Sequence, residues 1–252
     1  MCHTMYYIAT IATVIAGTAA FAAEPPVPKF EAQTIDPEVQ IGYGVAVGDV
    51  DGDKNPDILL ADKRQFVWLR NPGKPNERWP RFMMAENLTE LDNVCLAARD
   101  IDGDGKVEVA VGAQWNPAET SNLDRSGAIF YLIRPADPTA DPTAAWTPVR
   151  IEPHDPTTHR MQWIKVADKK FALAVLPLHG KDNKAGAGTP VRLQIIAPPA
   201  NLSDPKADWQ SKFIDTEMHM THNFDLAPEP GNIERALVAG REAFAATGLP
   251  YR

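Results

Sequence analysis

Cysteine is scarce: the 252 residues hold only Cys2 and Cys95. Cys2 lies in an apolar N-terminal stretch, so a chain processed there keeps one thiol and can form no intrachain disulfide. Positive charge is also in deficit. Lys and Arg number 25 against 33 Asp and Glu, a formal net charge of −8, which argues against nucleic acid or an anionic membrane as partner. No run beyond residue 22 is long and apolar enough to cross a bilayer. A Gly-rich phosphate loop, a Gly-x-Ser-x-Gly elbow and a Cys cluster are all missing, so nucleotide chemistry, serine hydrolysis and structural zinc lack support.

What is present begins with a leader. Residues 6–21 carry no charge, and Ala20-Phe-Ala22 fits a small-x-small cleavage site, so residues 1–22 are expected to be a signal peptide. The expected location is then periplasmic or extracellular. Residues 23–252 form the exported domain, entered through a Pro-rich segment.

That domain is organised around a repeated acidic stretch. Asp49-Val-Asp-Gly-Asp-Lys-Asn-Pro-Asp57 recurs as Asp100-Ile-Asp-Gly-Asp-Gly-Lys-Val-Glu108, with acids at relative positions 1, 3, 5 and 9 and Gly at position 4. Apolar runs flank both copies. Four carboxylates in nine residues repel one another unless a cation neutralises them. The hard divalent ion that accepts six to eight oxygens at about 2.3–2.6 Å is Ca²⁺. Flanking strands and closure at position 9 indicate a β-hairpin rather than a helical calcium loop.

Eroded copies follow at Met161-Gln-Trp-Ile-Lys165 and His222-Asn-Phe-Asp225, in steps of 51, 65 and 60 residues from Asp49. Each unit continues with an apolar second strand, such as Ile58-Leu-Leu-Ala61. A third strand ends near Pro, and a fourth opens with Trp79, Trp146 or Trp209. Four short strands per unit, without helical spacing, predict an all-β fold: a β-propeller of four-stranded blades. Three blades are complete and part of a fourth remains, lacking its third and fourth strands. Residues 30–35 are expected to supply a closing strand. A partner domain or chain completing the ring is the alternative to an incomplete copy.

The pattern Asp-x-Asp-Gly-Asp followed by an apolar strand resembles the FG-GAP/VCBS repeat of calcium-binding β-propellers. That resemblance implies two Ca²⁺ sites, one held by Asp49, Asp51, Asp53 and Asp57, the other by Asp100, Asp102, Asp104 and Glu108. The third copy has Lys165, Ala167 and Lys169 in place of acids, and the fourth has Pro228 and Pro230, so neither is expected to hold an ion.

Histidines collect where the acids are lost. His159, His219 and His222 lie at entries to first strands, while His179 and Lys181 follow a second strand, as do Arg241 and Glu242. Antiparallel pairing puts these positions at the end of each blade opposite the acidic turn. His154, in a connector, is expected at the surface. Three segments, His159-Arg-Met-Gln-Trp163, Pro177-Leu-His-Gly180 and Thr221-His-Asn-Phe224, resemble the propeller domain of the aldos-2-ulose dehydratase family.

This second resemblance implies metal-assisted dehydration of a keto-sugar, a carbon–oxygen lyase reaction. Zn²⁺ or another divalent ion at the His face would polarise the carbonyl. His159 would remove the proton, and His179 and His222 would act as metal ligand or acid. Trp163 would stack on the sugar, with Asn223 and Arg241 binding it. The competing expectation is a non-catalytic adhesion or ligand-binding propeller that takes a carbohydrate or other small molecule.

Overall fold

Short β-branched and aromatic runs between turn signals build antiparallel ladders along the chain. The computed structural model describes residues 27–242 and, for the backbone, 244–247. The expected leader, residues 1–22, lies outside the described residues. The chain divides into Met1–Gln33 and Thr34–Arg252. In the first unit, residues 27–33 carry neither helix nor strand and are exposed.

The second unit holds the sheets. Strands β1 (Gly44–Gly48), β2 (Asp57–Ala61), β3 (Gln65–Leu69) and β4 (Arg81–Glu86) pair in chain order. So do β5 (Cys95–Arg99), β6 (Glu108–Ala113), β7 (Ala128–Ile133) and β8 (Thr147–Ile151). The third sheet contains β9 (Thr158–Ala167), β10 (Lys170–Pro177), β11 (Arg192–Ala197) and β12 (Gln210–Asp215). Among the described residues the fourth has three strands: β13 (Thr221–Glu229), β14 (Ile233–Gly240) and β15 (Phe244–Thr247). The helical content among the described residues is one short 3-10 turn, Leu123–Arg125.

Side-chain alternation gives each sheet two apolar faces, and successive sheets bury them against each other. Leu59, Phe66 and Trp68 of the first sheet meet Val109, Phe130 and Leu132 of the second. Ile129 and Tyr131 meet Met161, Trp163 and Leu173 of the third. Ile164, Leu176 and Leu193 meet Phe224 and Val238 of the fourth. The first strands lie side by side in the order β1, β5, β9, β13. Among the described residues the fold is an incomplete β-propeller, as the repeat implied.

Two expectations are corrected. Residues 30–35 form no strand, and Phe30 is exposed. The fourth unit does have a third strand, since β15 pairs with β14 from Ala236↔Thr247 to Ala239↔Phe244. The acidic hairpins are also absent from the later blades. Asp168-Lys169 alone joins β9 to β10, with Lys169 at φ 52°, and residues 230–232 join β13 to β14. Turns so short cannot wrap an ion.

Candidate functional site

The two acidic hairpins have the same wiring. Gly48 pairs with Asp57 and Arg99 with Glu108, so position 9 of each loop opens the second strand. Position 1 accepts two backbone bonds: Asp49 from Gly52 N (2.6 Å) and Lys54 N (2.8 Å), Asp100 from Gly103 N (2.7 Å) and Gly105 N (3.0 Å). Asp51 and Asp53 accept from the amides two residues on, and Asp102 and Asp104 do the same. Position 4 is Gly because the turn is left-handed there, φ 84° at Gly52 and 87° at Gly103.

The last acid locks the loop from inside. Asp57 accepts from Val50 N (2.9 Å) and Asn71 N (2.8 Å), and Glu108 accepts from Ile101 N (2.9 Å). Burial pushes both carboxyls up to about 7, and the neighbouring acids add to the effect. Burial also raises Asp51. Carboxyls so disfavoured as anions are groups that a cation would stabilise.

Asp49, Asp51 and Asp53 offer ligand oxygens within 4.8 Å of one another, and so do Asp100, Asp102 and Glu108. Asp57 and Asp104 fall outside these triplets. Asp57 is held by the two amides, whereas Asp104 faces Arg134 Nη2 at 2.8 Å. The donor set, hard oxygens on a hairpin pinned by its own backbone, suits Ca²⁺.

Two residues at these loops escaped the sequence reading. Arg70 Nε lies 2.6 Å from Asp51 Oδ2, and Arg134 lies 3.4 Å from Glu108 besides reaching Asp104. Both follow a third strand and stand just before a Pro-containing turn, in Leu69-Arg70-Asn71-Pro72 and Ile133-Arg134-Pro135. That parallel placement was the available signal.

At the opposite end of the strands, the first residues of β9 and β13 bring imidazoles together. His159 and His222 meet edge to face with ring centroids 4.8 Å apart. Trp115, from the loop after β6, stacks on His159 at 5.0 Å and 19°. It too was missed, because a lone Trp in a loop has no repeat partner. Thr157 ties His179 to this rim, its Oγ1 accepting from His179 N at 2.9 Å. Arg241 lies against the Gly186 backbone (φ 82°), where a Cβ would come 2.0 Å from Nη2. His219 Nδ1 stands 3.8 Å from Glu242, outside the His159–His222 pair. Asn223 is exposed beside His222.

Several expected roles change. Trp163 is 2% exposed and its Nε1 donates to Glu108 O at 3.0 Å, so its ring is core and has no free face for a sugar. His154 is buried rather than at the surface, with Nδ1 2.7 Å from Glu152. Burial, helped by Arg160, His222 and His179, lowers the pKa of His159 to about 3, so its imidazole is neutral near pH 7. His179 is lowered as well, by burial and by Arg241. Among the described residues the imidazoles form no triplet of close ligand atoms, so the geometry lends no support to Zn²⁺ or a similar ion held by His159, His179 and His222.

A pH dependence follows from His159. Its folded pKa lies below the ordinary value of 6.5, so as pH falls the unfolded chain takes up the proton first. The contribution is complete above about pH 6.5 and is lost on acidification towards 3. Between about pH 7.5 and about pH 5 it amounts to about 2 kcal/mol. Denaturant midpoints of the native chain and His159→Gln at both pH values check this: the variant should lose less stability on acidification.

The sheets define a propeller-like array of antiparallel blades. Residues 49–111, which run from the first acidic loop to β6, match the family model described as an FG-GAP-like repeat. No curated protein matches the chain.

Proposed function

We propose that this chain is a calcium-pinned propeller that binds a small carbohydrate-like molecule at its histidine rim. The observation that carries the reading is a pair of buried ring nitrogens without hydrogen-bond partners, His159 Nε2 and His179 Nδ1, at one rim. Thr158 Oγ1, next to His159 in the chain, is a third such atom. Each costs roughly 1–3 kcal/mol while unpaired. A ligand bearing several hydroxyls would supply the missing bonds once the rim side chains turn to admit it, and the partly buried Trp115 supplies an apolar edge.

A second reading, dehydration of a keto-sugar, draws on the same neutral imidazoles and on the three segments that resemble aldos-2-ulose dehydratases. In that case exposed His222, rather than His159, is the better-placed proton carrier.

The test is imidazole ¹H–¹³C NMR of the full chain with a panel of neutral ketoses and sugar acids. At least one compound should shift His159, His179 and His222 while leaving His154 unmoved. If no compound does so, the rim is not a binding site. A conjugated carbonyl product accumulating with a bound ketose, and lost in His222→Ala, would establish the lyase reading.

A further inference from the structure

Positive charge along the ring axis is distributed unevenly. A cavity of about 540 Å³ runs between the inner strands and is lined by Arg160, Met161 and Cys95 towards the rim and by Arg99 and Glu234 towards the acidic turns. Its walls hold no imidazole, and Arg160, beside His159, is the side chain that joins it to the rim. Arg99 is fully engaged: it forks onto Glu234 at 2.7 and 3.1 Å and also donates to Trp163 O at 3.0 Å.

Arg160 is not so engaged. Its Nη1 reaches His159 O at 3.0 Å and His159 Nδ1 at 3.4 Å, and it makes no ion pair with a carboxylate among the described residues. In a chain of net charge −8, this half-buried guanidinium has no acid paired with it among the described residues. Arg241 adds a second cation near His179, offset among the described residues by Glu242 at 3.5 Å, a carboxylate that His219 also approaches. The imidazoles bring no competing anion.

We infer that the ligand of the rim carries an oxyanion, a carboxylate or a phosphate ester, received by the forked guanidinium of Arg160, with Arg241, near His179, as the second cation of the rim. The inference rests on the reading of the rim as a binding site. Guanidinium geometry matches the two oxygens of such a group, and partial burial strengthens the contact relative to open water. A sugar acid or sugar phosphate therefore fits better than the neutral sugar.

The experiment titrates the full-length chain with D-glucuronate, D-glucose 6-phosphate and D-glucose, following the rim imidazoles by NMR. One or both anions should bind at least about tenfold more tightly than glucose, a difference of about 1.4 kcal/mol. The two anions separate a carboxylate ligand from a phosphate one. Arg160→Gln should erase the preference and Arg160→Lys should keep part of it, with circular dichroism confirming the fold. Should Arg160→Gln not fold, Arg241→Gln, at an exposed position, should weaken anion binding alone. Glucose binding as tightly as the anions, or a preference that survives Arg160→Gln, overturns the charge inference while the rim reading stands. If none of the three moves a rim imidazole, both fall.

Discussion

Trp163→Ala should lower the stability of the chain by about 3–5 kcal/mol, the usual cost of removing a buried large aromatic. The ring is 2% exposed within the apolar layer between the second and third sheets, packed near Trp209 at 6.4 Å. Its Nε1–H also donates to Glu108 O, so truncation leaves that buried carbonyl without this donor. Trp163→Phe keeps most of the volume but loses the donor, and should cost roughly 1–2 kcal/mol. Urea unfolding measures both. The alternative role, a platform under a sugar ring, makes the opposite prediction: near-native stability with weakened ligand binding. A midpoint unchanged in Trp163→Ala would return the residue to the ligand site.

The contrast shows what a single sequence encodes. Acidic hairpins are legible because position within a nine-residue loop dictates their chemistry, and a second copy repeats the same positions. Blade order is legible for the same reason. Trp163 was misplaced because alternation in a strand identifies two faces without saying which one is covered. Only the neighbouring sheet decides that. His154 misled in a similar way: its burial depends on the packing of its connector and on Glu152, not on its own polarity. Strand β15, Phe244-Ala-Ala-Thr247, contains only one β-branched residue and so gave no strand signal before its pairing with β14 was seen. Phe30-Glu-Ala-Gln-Thr-Ile35 carries a strand-like pattern and forms none, since pattern alone supplies no partner.

Long-range ion pairs were the least legible feature. Glu234 accepts from Arg99 and from Lys165 N (2.7 Å), joining the second, third and fourth sheets at the end where the acidic turns lie. Burial by itself would raise the Glu234 carboxyl. The Arg99 bonds and the Lys165 amide outweigh it and hold the group below the usual carboxylate range. The later blades thus use a protein cation and a tight turn where the first two place acidic loops. The substitution runs along one end of the ring, which leaves the other end to the imidazoles.

Chelation should therefore act on the first two blades. If each loop takes Ca²⁺ with the millimolar-range affinity usual for extracellular modules, about 10 mM Ca²⁺ stabilises by roughly 1.5–2.5 kcal/mol per loop. Two loops give about 3–5 kcal/mol, which in a chain of this size raises the melting temperature by on the order of 10 °C over EGTA. Mg²⁺ should reproduce little of this, because it demands shorter bonds and a stricter octahedron than these loops present. Asp51→Asn with Asp102→Asn removes one charge from each ligand triplet and should abolish most of the Ca²⁺ shift. The backbone bonds to Asp49 and Asp100 remain in that variant, so the loops can still close without the ion. Those same bonds frame the competing outcome. If melting in EGTA equals melting in Ca²⁺, the amides together with Arg70 and Arg134 suffice to hold the hairpins, and the acids serve as turn-formers only.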